Sequence, residues 1–91
     1  MTPKQRQALK LAREKIRNGE NDMLCFALFD VADEHPELTD ACCKLTYYIH
    51  RQLSVCGTLV TWQWRHGIYH DHDQRRIDRI NWISWMLGEL E

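Results

Sequence analysis

Leu38, Cys42, Leu45, Ile49, Leu53 and Cys56 recur at intervals of four, three, four, four and three. Only a helix of 3.6 residues per turn gathers that spacing onto one side. The rhythm predicts a long amphipathic helix over residues 36–55. Its start is set by Pro36, which holds His35 outside the helical region, and its end by Gly57. Tyr47, Tyr48 and His50 lie beside the stripe.

The rest of the chain reads in the same period. Thr2 as N-cap and Pro3 in the first turn open a helix over residues 3–18, and Gly19 is its expected left-handed stop. Ala8, Leu9, Ala12 and Ile16 form its narrow apolar stripe. A second helix is expected from about Asp22, with Asn21 or Asp22 as cap. Met23 to Phe29 is apolar all round, so this helix is expected at the centre, contacted from several sides. Residues 59–66 read as a short helix between Thr58 and Gly67. Residues 67–73 read as a polar loop, and Asp73 as the cap of a last helix over residues 74–90. Ile77, Ile80, Ser84 and Leu87 are that helix's stripe, widened by Ile83 and Met86. No stretch alternates with period two long enough for a sheet. The expectation is one all-α domain over residues 1–91, a compact bundle of four long helices and one short one, neighbours joined by short connections and packed antiparallel.

Ninety-one residues, 44% of them hydrophobic, suit one small domain whose stability gains from a partner surface. No apolar run nears the roughly 20 residues of a membrane span, and the N-terminus carries no signal-peptide core. The expected setting is therefore cytoplasmic. Cys25, Cys42, Cys43 and Cys56 are then expected as reduced thiols, with Cys42 and Cys56 serving as small hydrophobes on the long stripe.

The net charge of −1 conceals segregation. Residues 1–19 carry +5, residues 20–41 carry −7 with no base among them, and residues 42–91 carry +1. One reading is mutual neutralisation of the first two helices. The other is that one face recruits a partner. Lys4, Arg6, Lys10, Arg13 and Arg17 could meet phosphates, which makes a small nucleic-acid-binding protein the alternative function. The long helix begins acidic, however, and does not suit a recognition helix.

Three further features bear on function. His66, His70 and His72 stand close to Asp71 and Asp73, but Gly67 interrupts the first spacing and no finger or H-E-x-x-H pattern is present. They are weak metal candidates, and no cofactor is expected. Catalysis is not expected either. Hydrolase, P-loop and dinucleotide motifs are missing, and Cys43 and His50 lie two helical turns apart, about 10 Å of rise. Four tryptophans, Trp62, Trp64, Trp82 and Trp85, crowd the last third. They form either a broad aromatic core or a face left open for a partner or a second copy. Trp64, Trp82 and Trp85 with Arg75, Arg76 and Arg79 are the first candidates for an interface, because Trp and Arg dominate binding hot spots. Asp30, Asp33, Glu34 and Glu37 are the second.

Residues 8–20, then Leu24 to Leu28, and the later signature of Leu59, Trp62, Gly67 and residues 78–86 resemble small helical accessory proteins of enterobacterial temperate phages and prophages. The resemblance implies an accessory protein in a bacterial cytoplasm. It would bind a host or phage protein stoichiometrically, such as a defence or nucleic-acid-processing enzyme that it inhibits. It assigns no functional residue.

Overall fold

The computed structural model describes residues 1–21, 23–55 and 72–89, with the side chains of residues 1–21, 23–49, 76–77 and 79–89. The described residues are mostly helical and contain no strand. In chain order they form α1 (Pro3–Arg17), α2 (Leu24–Glu34), a 3-10 turn (Pro36–Leu38), α3 (Thr39–Val55) and α4 (His72–Met86). The short helix expected over residues 59–66, with Trp62 and Trp64, lies outside the described residues.

α1 starts and stops as its residues require. The Thr2 hydroxyl accepts the backbone N–H of Gln5, and the Gln5 side chain accepts the backbone N–H of Thr2. Two of the orphan donors of the first turn are thereby satisfied. At the other end Gly19 has φ +77°, its N–H donates to Ile16 O, and that of Glu20 donates to Lys15 O. This paired closure needs a left-handed residue, which glycine supplies without a Cβ penalty. α4 ends on the same device. Gly88 has φ +78°, its N–H donates to Trp85 O, and that of Glu89 donates to Ser84 O.

Several expected boundaries move. α2 begins at Leu24 after Met23, with no side-chain cap, instead of at Asp22. Asn21 does not cap it; its amide donates to the Asp30 carboxylate. α4 begins at His72, so Asp73 sits inside the first turn, and it ends at Met86, short of residue 90. The long amphipathic segment divides into the 3-10 turn and α3, both held to the core by the expected stripe: Leu38, Cys42, Leu45 and Ile49 are buried.

The centre of the molecule is α1, which packs against α2, α3, α4 and the 3-10 turn. Ala8, Leu9, Ala12 and Ile16 are fully buried. The two alanines let neighbouring helices come close, while Leu9 and Ile16 fill the space between them. Leu24, Ala27, Leu28 and Val31 of α2 and Trp82, Ile83 and Leu87 of α4 complete the core. α1 and α4 run antiparallel. Arg13 reaches Ser84 and Glu89 at the end of α4, whereas Arg76 near its start lies against Gly19.

α2 meets α1, α3 and the 3-10 turn, as a helix contacted from several sides should, but it is not covered all round. Phe26 and Phe29 are 53% and 57% exposed, and Met23 is exposed beside them.

Candidate functional site

At about 100° per residue, Phe26, Phe29 and Asp33 fall within a 60° stripe of α2. The opposite side carries Leu24, Ala27, Leu28 and Val31 into the core. The outward stripe is thus two aromatic rings followed one turn later by a carboxylate. Asp33 is exposed and makes no ion pair or hydrogen bond among the described residues.

Acidic groups flank the stripe toward α1. Asp30 accepts from Asn21. Glu34 holds Lys15 at 2.6 Å, with Glu20 at 3.9 Å from the same ammonium. Lys15 is only 8% exposed, so its aliphatic stem lies in packed surroundings while its charge meets carboxylates at the edge. The hydrogen bond to Glu34 raises its pKa above the ordinary 10.5. The charges of Glu34, Glu20 and Asp30 add to this, against the opposing effect of burial. This ion pair joins the last turn of α1 to the last turn of α2. In a simple antiparallel hairpin Lys15 would face the first turn of α2 instead. Glu37 lies beyond the helix, 3.5 Å from the ring Nδ1 of His35.

On its other flank the stripe borders a groove of about 390 Å³ between α2 and α3. Phe29, Ala32 and Asp33 form one wall. Cys42, Cys43 and Thr46, at helical spacing on α3, form the other. Tyr47 extends the α3 lip by one turn from Cys43 and is exposed. Beyond the opposite end of the stripe, Phe26 and Met23 border a second recess with Gly19, Glu20 and Asn21. Nothing here resembles a paired acid and base or an activated nucleophile. Cys25, Cys42 and Cys43 are thiols, not disulfides. Burial pushes the Cys25 and Cys42 thiols up, which lowers the share of the nucleophilic thiolate.

The aromatic and arginine set named first in the sequence is placed differently. Trp82 is 8% exposed and belongs to the core, and Trp85 packs half-buried against it. Arg76 and Arg79 are half-buried, Arg76 lying along the Gly19 turn. Trp64 and the side chain of Arg75 lie outside the described residues. The described part of α4 therefore turns its aromatic mass inward.

The basic set is partly spent inside the molecule. Arg13 donates to Ser84 Oγ at 2.9 Å and to Glu89 Oε2 at 2.5 Å. That hydrogen bond lowers the pKa of Glu89, helped by the charges of Arg13, Lys10 and Arg6. Arg17 pairs with Glu14 on its own helix. Lys4 and Lys10 are exposed and Arg6 is half-buried.

Of the histidines, His72 stands in the first turn of α4, its side chain outside the described residues, as are His66 and His70. Among the described residues no group of three His, Cys, Asp or Glu could hold a metal ion, and no helix is long and apolar enough to cross a membrane.

Phe26 and Phe29 are the surface groups that the apolar run concealed. A signal was present. Asp30 follows Phe26 by four residues, and Asp33 follows Phe29 by four, so each carboxylate shares a face with a ring. A helix face that carries carboxylates favours water over a packed apolar interior.

Searches against protein-family models, curated proteins and solved structures found no match to this chain.

Proposed function

We propose that this protein is a non-enzymatic accessory protein that acts by stoichiometric contact with another protein, through the outward face of α2. The observation that carries the reading is the pair of exposed rings, Phe26 and Phe29, on a helix whose other face is fully packed. A small domain gains little by exposing two phenylalanines one turn apart, and contiguous exposed apolar surface marks interaction sites. Asp30, Asp33, Glu34 and Glu37 give that face its charge. The scaffold is the bundle expected from the sequence, four long helices and one short one. The setting is the one its phage-like sequence pattern suggests, a bacterial cytoplasm in which a host or phage enzyme is held or inhibited.

The nucleic-acid alternative carries less. Two of its five basic residues, Arg13 and Arg17, are engaged by carboxylates, which leaves Lys4, Arg6 and Lys10 for phosphates.

The experiment is a paired pull-down from enterobacterial lysate at moderate salt, with the wild-type chain and the Phe26→Ser/Phe29→Ser variant as baits. A protein held in stoichiometric amount by the first and lost from the second is the expected result. Identical recoveries from the two baits refute the reading.

A further inference from the structure

We infer that the occupant of the α2 face is a cationic amphipathic helix of a partner protein, seated along the groove between α2 and α3. The inference rests on the reading of that face as the interface and names the chemistry of what binds there.

Charge is the first argument. The segment that builds the face, residues 20–41, holds seven acids and no base. Lys15 offsets part of this at the α1 flank, where it meets Glu34 and Glu20, and Lys44 of α3 pairs with Asp40. Asp33 has no such counterion among the described residues and stands one turn beyond Phe29 on the same stripe, at the lip of the groove. Burying it under a neutral surface would cost the desolvation of a carboxylate with no partner. A lysine or arginine beside the apolar anchors removes that cost and steers the approach.

Shape is the second. The groove runs between two helices, and its α3 wall, Cys42, Cys43 and Thr46, is spaced as a helix presents its ridge. An incoming helix offers anchors at i, i+3, i+4 and i+7, the spacing that such a groove accepts. Strand addition has no edge to extend among the described residues.

The same features disfavour other occupants. A second copy meeting through its own α2 would bring the same acids and no base to the face. A second copy offering α1 would bring Lys4 and Lys10, but the exposed side of that helix carries Gln7, Glu14 and Arg17 and no apolar anchor. Nucleic acid and anionic lipid would both meet carboxylates of like charge.

The test selects displayed random 20-residue peptides on the 91-residue chain, with the Phe26→Ser/Phe29→Ser and Asp33→Lys variants as parallel baits. Circular dichroism melts check that each variant stays folded. The expected winners carry apolar residues at three- and four-residue spacing with Lys or Arg between them. They disappear on the serine variant, and their basic preference weakens on Asp33→Lys. In fluorescence anisotropy the best peptide should bind the serine variant at least about tenfold more weakly. It should also weaken as salt is raised. Winners that need Phe26 and Phe29 but are neutral or acidic, or lack helical spacing, overturn the cationic helix and leave the α2 interface standing. Winners indifferent to both phenylalanines, or no winners, overturn the two together. A Phe26-dependent dimer of the unliganded chain in sedimentation also overturns the inference, since the face would then belong to a second copy.

Discussion

Single side chains here divide sharply by surroundings. Cys42 and Cys43 are neighbours in sequence, yet one is buried in the core stripe and the other is exposed on the groove wall. Cys43 should react with a disulfide reagent at pH 8 far faster than Cys25 or Cys42. Cys43→Ser should remove one equivalent of fast-reacting thiol, read by absorbance. The ion pairs are as readable. Glu89 has its pKa lowered in the fold, first by the hydrogen bond from Arg13. Its contribution is present above the unfolded value near 4.5 and is lost as pH falls through the lower folded value. Lys15 has the opposite sign. Its folded pKa is raised, so its contribution is intact below 10.5 and is lost as pH rises through the folded value. Melting temperatures followed from pH 3 to 7 should fall less steeply on the acid side for Glu89→Gln than for wild type. From pH 9.5 to 11.5, Lys15→Met should flatten the alkaline decline in the same way.

The helices show which local signals suffice. α1 was legible to within a residue because Thr2, Pro3, the Ala8-Leu9-Ala12-Ile16 stripe and Gly19 all agree. The reciprocal bond of Gln5 adds a capping box that the sequence reading did not name. α4 was misread at both ends for physical reasons. Leu87 and Leu90 continue the apolar rhythm, so the pattern ran past Gly88, although Gly88 closes the helix as Gly19 closes α1. At the start, Asp73 looked like a cap, but it lies inside the first turn of the helix. Alanine at Gly88 should cost about 1–2 kcal/mol by chemical denaturation, since φ stays positive. No side chain stands within 4 Å to clash with its Cβ, so backbone strain alone sets that cost. Thr2→Ala should cost about 1 kcal/mol through the lost cap.

For the molecule as a whole, the division of labour between α1 and α2 matters most. α1, with the narrow apolar stripe, is the hub, while α2, packed on α1, α3 and the 3-10 turn, leaves its Phe26 and Phe29 stripe exposed. Amphipathicity told which residues turn inward from α1 and α3. It could not tell which stripe of α2 its neighbours would leave uncovered, because that depends on contacts distant in sequence. The candidate site was half legible for the same reason. Asp30, Asp33 and Glu34 were named from charge alone, while Phe26 and Phe29 were assigned to the interior. Urea denaturation separates the two classes. Leu9→Ala should lose about 2–5 kcal/mol, whereas Phe26→Ser should stay within about 0.5 kcal/mol of wild type. The hub also has a consequence for synthesis. Arg13 of α1 and its partner Ser84 on α4 are 71 positions apart. At about 5–20 residues per second, a ribosome finishes that interval roughly 4–14 s after making α1. Through those seconds the buried stripe of α1 cannot close against α4. The nascent chain must shelter Leu9 and Ile16 with the helices already made, or with a chaperone, until its last helix emerges.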